Sequence, residues 1–173
     1  MTSLANRPAM TGVLSTTEEL NDQTRLLLRL LRQWLTGLSN NDTGVWQQAW
    51  NDLCGRMGEA NARRVLVGVE RFIKVINRQA VRSVMFRPIP CGFVGMDEGV
   101  MLLLLRKAGS GDSMGAMETA AGLVHSEAAR DLSEAALQLH TAFANGTGEA
   151  GNDTFLAGGW LSRERPAAST TIH

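Results

Sequence analysis

Apolar residues recur at steps of three and four over most of this chain, the spacing of helices that each bury one face. Leu27, Leu31, Trp34, Leu35 and Leu38 make the first such stripe. Two overlapping capping boxes precede it, Ser15 with Glu18 and Thr16 with Glu19, so a helix is expected to follow them and run to about Leu38. The turn-forming run Ser39 to Gly44 separates it from a second helix, in which Val45 or Trp46, Ala49 or Trp50, Leu53 and Met57 keep the spacing. Gly58 ends or bends that helix. A third helix is predicted from about Glu59 to Met85, with Leu66, Val69, Phe72, Ile73, Ile76 and Ala80 facing a core.

Pro88 and Pro90 then break the pattern, because proline lacks an amide donor and clashes inside a helix. Residues 87–93 read as an extended, stiff connection with room for a short strand-like piece, with nothing to support a sheet. A fourth helix is expected from about Glu98 to Ala108, started by Asp97 or Gly95, and Gly109 to Asp112 closes it and caps the next. The last helical stretch runs to about Ala144 with a candidate interruption at His125–Ser126. The predicted fold is all-α: a compact bundle of five or six helices in two groups joined by the proline-containing segment. Residues 1–14 read as a flexible leader, 15–145 as one helical domain and 146–173 as a disordered tail.

Composition sharpens this in one respect. Tyrosine is absent and other aromatics are few, so the core must be mainly Leu, Val, Ala and Met, which suits close helix packing. Cys54 and Cys91 are too few and too far apart for a disulfide framework or a CxxC metal site, and reduced thiols in the cytoplasm are the default. No stretch reaches the roughly 20 apolar residues that a membrane-spanning helix needs.

Charge is unevenly distributed along the chain. Net charge is zero, yet residues 25–87 hold eleven cations against four acids, while residues 97–153 hold nine acids against three cations. Arg64, Arg71, Arg78 and Arg82 fall on one line of the predicted third helix, with Lys74 beside it, a row roughly 27 Å long at 1.5 Å per residue. Arg25, Arg29 and Arg32 form a second stripe on the first helix. Such rows either stand in solvent, pair with the chain's own Glu118, Glu127, Asp131 and Glu134, or receive an acidic protein or a nucleic acid. No helix-turn-helix, zinc-finger or RNA-recognition pattern accompanies them.

Three functional readings follow. The first is a non-catalytic, cytoplasmic interaction or regulatory protein that binds an acidic macromolecular partner through these eight cations. It self-associates as a homodimer through Leu27, Leu31 and Trp34, because the Leu-rich run of the first helix is wider than one core contact requires. The second is a nucleic-acid-binding regulator that uses helices one and three. The third is a small thiol enzyme or redox sensor built on Cys91, which would need neighbouring cations or a base, with His125 and His140 as the candidate bases. No residue pattern calls for a metal or a cofactor, and Asp97–Glu98 read as acids at a helix start, where the dipole favours them.

Overall fold

The computed structural model describes residues 13–148. It is an all-α bundle of six helices with one two-stranded ribbon. The helices are α1 (Asp22–Asn40), α2 (Thr43–Met57), α3 (Glu59–Gln79), α4 (Met96–Gly109), α5 (Ser113–Ala121) and α6 (Ala129–Thr147). The ribbon pairs β1 (Val13–Thr16) with β2 (Phe93–Gly95), antiparallel, with Thr16 opposite Phe93.

Several boundaries differ from the expectation, and near β1 and at the end of α3 a distant part of the chain takes the backbone. The anticipated capping boxes lie in β1 and a 3-10 turn at Thr17–Glu19, because the Thr17 amide donates to Gly92 O (2.8 Å). The helix instead starts at Asp22, where the Asn21 side chain accepts from the Thr24 amide (2.8 Å). At the other end of the leader, Val13 and Leu14 therefore belong to a strand, and residues 1–12 lie outside the described residues.

α3 stops at Gln79, six residues short of Met85. There the chain turns extended at Ala80, which bridges to Val124, while the Val81 amide donates to Leu123 O (3.1 Å) and the His125 amide to Gln79 O (2.9 Å). The last helical stretch is interrupted where expected, and α5 and α6 are separated by a turn and a 3-10 segment at Ser126–Ala128. α6 runs to Thr147 and ends on Gly148 at φ 77°, so residues 146 and 147 are helical; the rest of the expected tail, 149–173, lies outside the described residues.

The two helical groups are not side-by-side units. α3 and α6 form the most extensive helix contact, and it crosses between the groups. They run antiparallel, with Gly68 against Leu139 and Gly146 against Met57 and Asn61. A Cβ at Gly68 would stand 3.1 Å from the Leu139 Cα, so this glycine sets how closely the two backbones approach. Phe72, Leu132, Leu139 and Phe143 fill the shared core, joined by Leu27, Leu31, Leu102 and Leu105 from α1 and α4.

Candidate interaction surface and a buried carboxylate junction

α3 shows its neighbours an apolar face and shows solvent Arg64, Arg71, Lys74 and Arg78, all exposed. Arg64 donates to the Asn61 side chain (3.0 Å), within its own helix. Arg71 donates to the Gln138 side chain of α6, an amide rather than a carboxylate. Among the described residues no ion pair joins any of these four cations, and none joins Glu118, Glu127, Asp131 or Glu134. The anticipated pairing between the basic and acidic halves is thus absent along α3.

Arg82 is different. It lies beyond the end of α3, so it leaves the row, and its guanidinium grips Asp97 with both nitrogens (2.8 and 2.5 Å). The Met85 amide donates to the same carboxylate (2.8 Å). The hydrogen bonds from Arg82 are the main cause that holds Asp97 below the usual carboxylate range, and the pair raises Arg82 in turn.

The stripe on α1 also divides. Arg25 donates to the carbonyls of Thr17 (3.1 Å) and Leu20 (3.0 Å) and sits near Asp22, while Arg29 pairs with Asp52 on α2 (3.1 Å). Arg32 is no surface residue: its side chain is 2% exposed. Its Nε and Nη2 meet the two oxygens of Glu98, at 2.7 and 2.8 Å. Its Nη1 donates to Cys91 O (2.7 Å) and Nη2 also to Phe93 O (2.6 Å). Glu98 accepts in addition from the amides of Arg87 (2.9 Å) and Gly95 (2.8 Å). Arg32 is therefore no partner-binding cation, contrary to the expectation from its helical spacing, because a buried, fully engaged guanidinium reaches nothing outside.

Asp97 and Glu98 thus do more than meet a helix dipole. Two consecutive carboxylates on the first turn of α4 gather the amides of residues 85, 87 and 95 and two arginines from elsewhere in the chain. The proline segment is held by these bonds. The sequence does carry a signal for this junction: Gly95 and Glu98 stand at capping-box spacing, and Arg32 sits one turn from Leu28 on the apolar side of α1.

Leu27 and Leu31 do not form a self-association face. They are 0% and 1% exposed, covered by this chain's own helices rather than left for a second subunit. Trp34 is half-buried and tilts over Trp46 at 5.4 Å, closing the α1–α2 hairpin.

Cys91 is half-buried and lines a cleft of about 200 Å³ with Arg25, Arg29 and Thr17. Neither histidine lines it; His125 is exposed outside any helix, and His140 packs against Gly109 on the far group. A larger cleft of about 540 Å³ opens between the C-terminal ends of α1 and α3, walled by Leu35, Ile73, Ile76 and Phe86, with Arg82 at its edge already committed to Asp97. Among the described residues no cluster of three His, Cys, Asp or Glu side chains is placed to hold a metal ion, and no helix is long and apolar enough to cross a membrane. Comparison with protein-family models, curated proteins and solved structures gives no match to this chain.

Proposed function

We propose that this protein is a non-catalytic helical docking protein of regulatory type, whose α3 face receives an acidic protein partner in the cytoplasm. One observation carries the reading: Arg64, Arg71, Lys74 and Arg78 stand exposed along α3 without a carboxylate partner, while the chain's other arginines in the basic half include three tied to acids on other elements. An arginine face of this kind suits bidentate contacts to carboxylates. Free thiols at Cys54 and Cys91 accord with a reducing compartment.

A protein fits this face better than a nucleic acid. No helix-turn-helix, zinc-finger or RNA-recognition pattern accompanies the cations on this face. The test is the double variant R71Q/R78Q. It is expected to melt at the wild-type temperature, since solvent-facing charges contribute little to stability. It is expected to lose binding to an acidic polypeptide, with poly-glutamate as the probe. Undiminished poly-glutamate binding by a folded variant, or tighter wild-type binding to duplex DNA than to poly-glutamate, would count against the reading.

A further inference from the structure

We infer that the acidic surface received by α3 is α6 of a second copy of this chain, in a two-fold dimer whose axis runs parallel to both helices. The inference rests on the reading of α3 as a docking face and names the partner for that face.

Two contacts set the register of the helices. Arg71 bonds Gln138 across their border, and Gly68 lies against Leu139. Further along, Gln79 meets His125. Hence the C-terminal half of α3, with Lys74 and Arg78, runs beside the part of the chain that carries Glu127, Asp131 and Glu134, and all five side chains are exposed. The surface is a positive stripe next to a negative one.

A matching surface must carry a negative and a positive stripe side by side, at the same spacing. The chain itself has that surface. Rotation by half a turn about an axis lying along the border exchanges left for right, so α3 of one copy faces α6 of the other, twice over. Each α3 then lies antiparallel to the α6 of its partner copy, as it does to its own, and the four helices close into a bundle-like layer. An axis at right angles to the helices would place like stripes on each other, so the charges select one geometry. Val67, one turn from Arg71 on α3, is 61% exposed and gives the paired faces apolar contact among the charges.

This moves self-association away from α1, whose leucines are internal, to a surface that is isologous by construction. It also predicts strong salt dependence, because the attraction is between solvent-accessible charges.

The experiment is a charge swap followed by sedimentation velocity at low ionic strength. Wild-type protein is expected as a dimer that dissociates as salt rises. R71E/R78E makes α3 negative, and D131K/E134K makes α6 positive; each alone is expected to be monomeric. Mixed, the two variants regain both oppositely charged contacts, and a heterodimer is expected. Circular dichroism checks that each variant is folded. If R71E/R78E does not fold, the loss of dimer in D131K/E134K and the salt titration of wild type still decide. A wild-type monomer, a dimer that persists in either folded variant, or a mixture that stays monomeric would overturn the inference. Poly-glutamate separates this failure from the failure of the docking face. A monomeric wild type that binds it through Arg71 and Arg78 refutes only the second copy, whereas a monomer that ignores it refutes both.

Discussion

Glu98 takes the fork of Arg32 across 66 residues of sequence, with both side chains essentially without solvent contact. The carboxylate also accepts from two backbone amides, and the guanidinium donates to two backbone carbonyls. The pair therefore terminates four main-chain groups of an irregular segment as well as two charges. That segment has no helix or extended sheet to satisfy its backbone, and buried polar groups left alone are costly.

Replacing Glu98 by Gln tests this. In either amide orientation the new NH2 confronts an N–H donor, Arg87 or Gly95, and Arg32 loses its counter-charge. The expected cost is about 3–5 kcal/mol, the range for breaking one side of a buried pair. Urea unfolding measures it. The double change R32M/E98M is expected to recover little of the loss, because the main-chain groups still lose their partners. Full recovery would show that the pair acts by charge alone.

The same bonds predict the accessibility of the proline segment. Subtilisin should leave residues 81–92 intact in the native protein, although no helix protects them. In E98Q the segment should become the first site of cleavage among the described residues. Rapid nicking of the wild type between Arg87 and Gly92 would mean that the carboxylates do not restrain it.

Gly68 tests the helix contact at the centre. Alanine is the better helix former by about 1 kcal/mol. Here its methyl would meet the Leu139 backbone at 3.1 Å, which a flexible side chain cannot relieve. G68A is expected to destabilise by about 1–3 kcal/mol net, the usual cost of overpacking. A more stable G68A would show that α3 and α6 can separate freely.

Stability should fall with acid in two stages. Burial pushes His140 below its ordinary value, so the fold favours its neutral form. Its contribution is complete above the unfolded value of about 6.5 and is lost as pH falls through the folded value. Asp97, lowered first by its hydrogen bonds to Arg82, contributes fully above about 4 and is lost as pH falls further. H140Q should flatten the upper stage and D97N the lower one, in melts recorded between mildly acidic and strongly acidic buffers. An unchanged profile in both variants would refute these assignments.

The helices themselves were legible because their apolar spacing is local. Leu53 and Met57, or Phe72 and Ile76, name their own faces. What the pattern could not show was where a distant backbone would interrupt it. Ala80 continues the apolar rhythm of α3, yet Val124 and Leu123 claim the chain there, so the helix ends and Arg82 swings out of the row. Arg32 misled for the same reason. It follows Arg25 and Arg29 at helical spacing, and only the carboxylate at position 98 distinguishes an interior arginine from a surface one. The width of the Leu26–Leu31 arc is likewise a consequence of tertiary cover: Leu27, Leu28, Leu30 and Leu31 are all buried within one chain. The exposed cations on α3 were legible throughout, since a residue opposite a helix's apolar face has nowhere to point but outward.

The tryptophans carry a practical consequence. Trp34, Trp46 and Trp50 gather at the α1–α2 hairpin, where the Trp46 indole donates to Trp34 O (3.3 Å) and occupies the space a side chain at Gly37 would need. The fourth tryptophan, Trp160, is outside the described residues. With Trp160 replaced by Phe, intrinsic fluorescence is therefore a spectroscopic window on one corner of the molecule, and its emission will register the opening of that hairpin while the α4–α6 half stays dark to it.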